Sequence, residues 1–255
     1  MGVAAISYDP VPVLAEFAKR RAITFPLLSD FGSAVIRAYG ILNTTVPSSN
    51  QQQYGIPFPG TFIVSARGVV TSRVFEAAYQ ERDTISSIML RLGDRLDPAA
   101  AARVAAPHVQ LTTFVTDQTV APGTHFSIVV EGVPEKNVHI YAPGVTGYKP
   151  LALGIDPQPG LVLRGVQFPP AADYFFKPLN EHVPVYLQPF RLVQDLMIDG
   201  SRETEAALHD VRRMTITGSL TYQACDDRVC FLPQAVPLTW TIGLKPLDRE
   251  RARPQ

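Results

Sequence analysis

The sequence contains few of the residues that most often serve as catalytic groups or metal ligands. Its 255 residues include two cysteines, one tryptophan and five histidines, and 23 basic residues balance 23 acidic ones. No basic patch is large enough to neutralise a phosphate backbone, so we expect no nucleic-acid partner. No stretch approaches the roughly 20 apolar residues of a transmembrane helix, so we expect no membrane span in this chain.

The sequence also lacks a full set of zinc ligands and a recognisable secretory signal. Two cysteines make half of a zinc site, and the nearest preceding histidines, His182 and His209, are far from them in sequence. Metal binding is therefore the least favoured role for the cysteines, and we predict no cofactor. The first residues, 1–7, lack the basic segment and the long apolar core of a secretory signal. An internal disulfide, by contrast, favours an oxidising compartment.

Both cysteines lie in one short stretch, Tyr222-Gln-Ala-Cys225-Asp-Asp-Arg-Val-Cys230-Phe-Leu-Pro233. Strand-like sequence flanks it at 214–221 and 236–242, and the first of these runs alternates apolar and polar residues. The polar residues between the cysteines are typical of an exposed connection. We therefore predict that the pair lies at the end of a β-hairpin. Facing Cα atoms on antiparallel strands lie roughly 4.5–5.5 Å apart there, within disulfide range.

Three roles for this pair remain open from the residues alone. As a structural disulfide, it would close a short loop and contribute only about 2 kcal/mol. As a redox-active pair, it would exchange electrons through a mixed disulfide with another thiolate. Metal binding is the third. Asp226 and Asp227 would raise the thiol pKa and Arg228 would lower it; we expect the carboxylates to dominate, which favours a disulfide awaiting a more acidic thiolate.

The motif around the cysteines is similar to that of a known family. The opening Tyr222-Gln-Ala-Cys225 and the close Cys230-Phe-Leu-Pro233, followed by an apolar strand, resemble the amino-terminal periplasmic domain of the disulfide reductase DsbD. The resemblance implies an immunoglobulin-like β-sandwich with a redox-active pair at one end. It implies thioredoxin-like or disulfide-isomerase-like redox partners and a periplasmic or extracytoplasmic location. The cysteine spacing is one residue shorter than in the best-known member.

Tyr222 and Phe231 flank the cysteines in this motif. Two interpretations stay open for them: they shield the disulfide from stray thiols and bind the partner, or they pack in the core. His125 and His139 are expected to pack as ordinary strand residues, and Trp240 is expected in the core.

The first 95 residues have a different pattern. We predict a strand at 3–7, helices at 11–21 and 33–39, a hairpin of strands at 60–64 and 69–75, and a helix at 80–92. This order, with Ile6-Ser-Tyr-Asp9, Phe25-Pro-Leu-Leu-Ser-Asp30 and Pro59-Gly-Thr-Phe-Ile-Val64, resembles the thioredoxin-like fold of the AhpC/TSA redoxin family, the peroxiredoxins. The resemblance covers the later two-thirds of that fold, so we expect a truncated α/β domain.

Residues 1–95 contain no cysteine. In the AhpC/TSA family the active-site cysteine follows the first central strand, and neither that strand nor its helix is present here. Peroxide reduction needs a thiolate nucleophile, so residues 1–95 alone cannot perform it. A missing central strand would leave backbone groups unpaired. We expect that Met1 is not the natural start, or that the domain is a degenerate scaffold or borrows a strand.

Pro59 occupies the position where the thioredoxin-like resemblance implies a substrate-binding cis-proline. Peroxiredoxins often carry an arginine there, so a proline favours thiol–disulfide exchange over peroxide chemistry. We predict a cis bond before Pro59, a form that few X–Pro bonds adopt. The alternative is an ordinary loop proline, since the chain has 23 prolines.

The predicted organisation has two domains. A truncated thioredoxin-like domain (1–95) is followed by a linker (96–108), a β-sandwich of many short strands (109–246) and a disordered tail (247–255). The predicted function is that of a thiol–disulfide oxidoreductase acting through Cys225 and Cys230. Two alternatives are a non-catalytic module that binds redox partners and carries a structural disulfide, and a peroxiredoxin-type antioxidant whose nucleophile lies upstream.

Overall fold

The structure, a computed structural model, describes residues 2–51, 53–75, 82–93, 96, 101–176 and 180–246. These residues form a mixed α/β fold in which strands predominate. They divide into two compact units, one within residues 2–75 and the other within residues 82–246. Among the described helices, none is long and apolar enough to cross a bilayer. The predicted tail at 247–255 lies outside the described residues.

The first unit contains two helices and two strand pairs. Its elements are β1 (Ala5–Ser7), α1 (Val11–Arg20), β2 (Leu27–Ser29), α2 (Ala34–Ala38), β3 (Gly60–Val64) and β4 (Val70–Phe75). β1 and β2 pair in parallel, and β3 and β4 pair as an antiparallel hairpin. The helices and the hairpin confirm the predicted order. β2 is an addition, because no strand was predicted between the first two helices.

Local hydrogen bonds explain the short elements of the first unit. The buried carboxylate of Asp30 accepts the backbone N–H groups of Val35 and Ile36 at 3.1 and 2.8 Å, which satisfies the start of α2. The N–H of Asp30 in turn donates to the carbonyl of Ser7 at 2.7 Å and extends the β1–β2 pairing. Among the described residues of this unit, β1–β2 and β3–β4 are two separate two-stranded sheets.

The second unit consists mainly of strands. They are β5 (Arg82–Asp83), β6 (Ala102–Val104), β7 (Val109–Val115), β8 (Thr119–Val120), β9 (Thr124–Pro134), β10 (His139–Tyr141), β11 (Ala152–Ile155), β12 (Leu161–Gln167), β13 (Ala172–Phe176), β14 (Glu181–Tyr186), β15 (Phe190–Ile198), β16 (Arg213–Tyr222), β17 (Ala224–Cys225) and β18 (Gln234–Leu244). Its two helices are α3 (Ile85–Arg91) and α4 (Arg202–Ala207). Most of the strands predicted from Val109 onward are present.

These strands form three sheets among the described residues. One has the order β12-β15-β9-β7-β6, with β5 also paired to β9; the second has the order β11-β16-β18-β8; the third is β13-β14-β10-β17. Two segments differ from the sequence-based expectation. The helix predicted at 80–92 begins at Ile85 and packs through Leu90 on Phe114 and Val129 of the second unit. β6, inside the predicted linker, pairs with β7.

The first two sheets of the second unit bury one hydrophobic core. Alternate residues of β18, including Val236, Leu238 and Ile242, face inward with 6% or less of their surface exposed. They share a cluster with Phe126 of β9 and residues of β15. Trp240 belongs to the same cluster, as predicted, and its Nε1–H donates to Thr113 Oγ1 at 2.8 Å. A buried indole N–H requires such a partner.

The cysteines lie where the core hairpin passes into the third sheet. β16 and β18 pair along their whole length, ending at Tyr222 opposite Gln234, and the eleven-residue segment 223–233 connects them. This confirms the predicted position at the end of a hairpin. The connection is not a free loop, however, because Ala224 and Cys225 form β17 and pair with β10. The third sheet thereby supplies the surroundings of the cysteines.

Candidate functional site: a disulfide on the third sheet

Cys225 and Cys230 form a disulfide with their Cα atoms 4.1 Å apart. The residues between them make a tight turn, in which Asp226 Oδ1 accepts the N–H groups of Arg228 and Val229, each at 2.7 Å. These two backbone hydrogen bonds lower the pKa of Asp226. The sequence Asp-Asp-Arg-Val thus folds into a short connection because its first carboxylate satisfies the backbone of the turn.

The two sulfur-bearing residues differ sharply in exposure. Cys225 retains 1% of its surface, since it lies in β17 beside β10, whereas Cys230 is exposed. Two exposed apolar residues flank Cys230, Val229 at 53% and Leu232 at 81%. Cys230 is therefore the more accessible residue of the pair.

A group of tyrosines packs around the buried cysteine. The tyrosine cluster consists of three residues: Tyr141 of β10, Tyr174 of β13, and Tyr148, which lies outside the strands. These tyrosines pack with Cys225 and with two residues of β14, Val183 and Val185. Tyr141 Oη lies 3.3 Å from Cys225 Sγ and 3.6 Å from Cys230 Sγ. One phenol therefore contacts both atoms of the disulfide.

The hydroxyl groups of the cluster are linked to a carboxylate. The rings of Tyr141 and Tyr148 stack with centroids 4.2 Å apart. The Tyr148 hydroxyl donates to Glu181 Oε1, a residue of β14. Burial is the main cause that raises the pKa of Tyr141, and the hydrogen bond to Glu181 is the main cause that raises the pKa of Tyr148. Both phenols therefore keep their protons near neutral pH.

A second connection leads from the turn to His139. The Tyr174 hydroxyl donates to Asp227 Oδ1 at 2.8 Å, and the His139 ring lies between the rings of Tyr174 and Tyr141, with centroids at 4.7 and 5.2 Å. His139 is also the β10 residue paired with Cys225. Burial lowers the pKa of His139, and the negative charges of Asp227 and Asp226 oppose that effect only in part.

Tyr222 and Phe231, the sequence-predicted neighbours, pack elsewhere. Tyr222 is fully buried in the main core, its hydroxyl donates to the Pro107 carbonyl at 2.6 Å, and burial raises its pKa to about 12. Phe231 stacks on His108 with ring centroids 3.7 Å apart. Tyr222 therefore packs in the core, Phe231 is partly buried, and Tyr141 contacts the sulfurs. A role of Tyr222 and Phe231 in binding the partner stays a prediction.

Pro59, the third predicted position, lies in the first unit just before β3. The described residues contain no cis peptide bond, so the predicted cis-proline is wrong. The preceding segment is extended: Phe58 N–H donates to the Ile41 carbonyl at 2.7 Å, and Leu42 pairs with Pro57. A trans bond continues this extended chain into β3.

Sequence reasoning did not find the tyrosine cluster. Tyr141 precedes Cys225 by 84 residues and is one of nine tyrosines, so no local spacing marks it. His139 was expected to pack as an ordinary strand residue. Both residues lie in β10, and the pairing of β10 with β17 is a tertiary contact that no local pattern specifies. Among the described residues, no group of three or more His, Cys, Asp or Glu side chains is arranged so that it could hold a metal ion.

Comparison with known proteins finds a family match for the first 73 residues. Residues 1–73 match the AhpC/TSA family. Alkyl hydroperoxide reductase E of Mycobacterium bovis and of Mycobacterium tuberculosis is 37% identical over 81 residues, which are 31% of this chain and 48% of the relative. The chain thus spans about half the length of these curated relatives. The AhpC/TSA resemblance of the first residues is confirmed.

Two solved structures have a distant similarity to part of this chain. The reduced N-terminal domain of DsbD from Neisseria meningitidis is 15% identical with a TM-score of 0.30, over 46% of this chain and 81% of that one. The N-terminal periplasmic domain of ScsB from Proteus mirabilis is 12% identical with a TM-score of 0.35, over 53% and 49%.

Proposed function

We propose that the protein exchanges electrons with a thioredoxin-like partner or domain by thiol–disulfide exchange at Cys225 and Cys230. The observation that carries this proposal is the asymmetry of the disulfide. One cysteine is exposed beside two apolar side chains, and the other is buried against a phenol that contacts both sulfurs. A disulfide that served only to staple a hairpin would need neither feature.

The asymmetry assigns a role to each sulfur. A partner thiolate attacks Cys230 Sγ, a mixed disulfide forms, and the electron pair of the broken S–S bond passes to Cys225 Sγ. The partner's second thiolate then attacks its own sulfur in the mixed disulfide and releases Cys230 as a thiolate. The pair gains two electrons, and the partner becomes a disulfide. The reverse sequence passes the electrons to a further disulfide.

The charges of the turn favour a partner with an acidic thiol. The carboxylates of Asp226 and Asp227 lie in the turn between the cysteines, and negative charge nearby disfavours a thiolate. A low-pKa thiol, typical of thioredoxin-like active sites, is predominantly ionised at neutral pH and attacks such a disulfide readily.

For the architecture, we propose an immunoglobulin-like β-sandwich in the second unit. It is supported by two sheets that share one core and by the position of the cysteines beyond the end of the β16–β18 hairpin. For the first unit we propose a thioredoxin-like fold, supported by its α/β order and by the AhpC/TSA match of residues 1–73.

A redox titration tests the proposed function. The protein is equilibrated in glutathione or dithiothreitol buffers, free thiols are alkylated, and the added mass is counted. A midpoint between roughly −300 and −120 mV, the range of exchange proteins, supports a working pair. A disulfide that stays closed well below about −300 mV would be structural. That result would favour a non-catalytic module for binding redox partners.

A further inference from the structure

The burial of Cys225 raises a problem of proton supply. Its sulfur must gain a proton after the disulfide opens and lose it before the disulfide closes, yet Cys225 is 1% exposed. Cys230 cannot supply the proton in the mixed disulfide, because its sulfur is then bonded to the partner. His139 is 2% exposed and burial lowers its pKa, so it is a poor proton donor at neutral pH.

Three polar side chains lie in series between the buried sulfur and the surface. Tyr141, itself 2% exposed, places Oη 3.3 Å from Cys225 Sγ. The Tyr141 ring stacks on that of Tyr148 with centroids 4.2 Å apart, and the Tyr148 hydroxyl donates to Glu181. Tyr148 and Glu181 are both half-buried, so the far end of this set is accessible to water.

We propose that Tyr141, Tyr148 and Glu181 form a proton path between the buried sulfur of Cys225 and solvent. This proposal rests on the proposed thiol–disulfide exchange. Tyr141 is a catalytic residue in it, because its hydroxyl contacts the reacting sulfurs. Tyr148 and Glu181 act through Tyr141.

The step balances with one proton from water. The partner thiolate bonds to Cys230 Sγ, and the S–S electron pair leaves on Cys225 Sγ. Tyr141 gives its hydroxyl proton to that sulfur. The Tyr148 hydroxyl then turns from Glu181 to Tyr141 and reprotonates it, and Glu181 passes a proton taken up from water to Tyr148. The products are the mixed disulfide and a neutral Cys225 thiol, and every side chain of the path regains its starting protonation. Reversal of the same transfers deprotonates Cys225 before the disulfide closes.

The two aspartates of the turn and Tyr174 form hydrogen bonds outside this path. Asp226 accepts two backbone N–H groups of its own turn, and Asp227 accepts the hydroxyl of Tyr174. Tyr174 packs on His139 rather than donating to a sulfur. Tyr174 therefore provides a matched control, since it is a tyrosine of the same cluster whose hydroxyl is not part of the path.

The test is the rate at which dithiothreitol reduces the Cys225–Cys230 disulfide in the whole chain. The variants are Tyr141→Phe, Tyr148→Phe and Glu181→Gln, with Tyr174→Phe as the control, and the rate of each is measured in H2O and D2O. Glu181→Gln keeps an acceptor for Tyr148 but cannot carry the proton. Tyr141→Phe removes the hydroxyl that contacts the leaving sulfur, so we expect it to slow reduction by at least about tenfold.

A path in series predicts two further signatures. Glu181→Gln should slow the wild-type protein but add nothing in the Tyr141→Phe background. The solvent isotope effect should be smaller in Tyr148→Phe and Glu181→Gln than in wild type and Tyr174→Phe, because these two variants interrupt the proton transfer. The isotope effect on dithiothreitol itself is the same for all variants and cancels in the comparison. Equal rates and isotope effects in all variants would overturn the path while leaving the proposed function intact. A wild-type disulfide that dithiothreitol does not reduce would overturn the proposed function and, with it, the path.

Discussion

The different exposure of the two cysteines predicts a large difference in their reactivity. In Cys230→Ser the remaining thiol is Cys225, which is 1% exposed and faces Tyr141; in Cys225→Ser it is the exposed Cys230. A thiol reacts only when a reagent reaches it as a thiolate, and burial both blocks access and raises the thiol pKa. Both effects act in the same direction. We therefore expect Cys225 to be alkylated at least about tenfold more slowly than Cys230 at neutral pH.

The assay measures alkylation by iodoacetamide over time by intact mass. Each variant is compared with itself in denaturant, where the protein environment is lost and the two rates should converge. A partner thiol–disulfide protein should likewise form a trapped mixed disulfide with Cys225→Ser and not with Cys230→Ser. Equal rates in the folded variants, or faster alkylation of Cys225, would refute the assignment of Cys230 as the attacked residue.

Three further predictions concern stability. Gly132→Ala should destabilise the second unit by about 1–3 kcal/mol in urea unfolding, because a Cβ at Gly132 meets the Phe190 ring, whereas Gly165→Ala, with open space around it, should not. Tyr222→Phe should cost about 1 kcal/mol in the same assay, since it removes the hydrogen bond to the Pro107 carbonyl; a change below about 0.3 kcal/mol would contradict this. His139 has a lowered pKa when folded, so the unfolded state binds more protons and stability should fall as pH drops below about 6.5; His139→Gln should lessen that slope, and an unchanged slope would refute it.

The main outline of the protein could be predicted from local sequence. The alternation of apolar residues in β16 and β18 places Val236 and Trp240 in the core, and the polar Asp-Asp-Arg between the cysteines requires a turn. Helical spacing after Pro10 likewise predicts α1. Each of these follows from the period of a single element and the chemistry of neighbouring residues, which do not depend on where distant segments lie.

Other features could not be predicted in this way. β2 is a three-residue strand whose pairing with β1 is not encoded in its own short pattern. The bridge between Leu42 and Pro57, next to Pro59, joins segments that no local pattern brings together. Helix α3 was expected to close the first domain, but its apolar face through Leu90 packs on β7 and β9 of the second unit. An amphipathic pattern shows that a face is buried, but it does not specify against what.

The sequence by itself determined that the only possible thiol chemistry of this chain lies between Cys225 and Cys230, because no other residue carries a thiol. The tertiary structure decided which sulfur is accessible and what surrounds the other. The pairing of β17 with β10 buries Cys225 and brings Tyr141 to it across 84 residues of chain. Exposure and long-range contact are properties of packed surfaces, and a chain acquires them only when its sheets assemble.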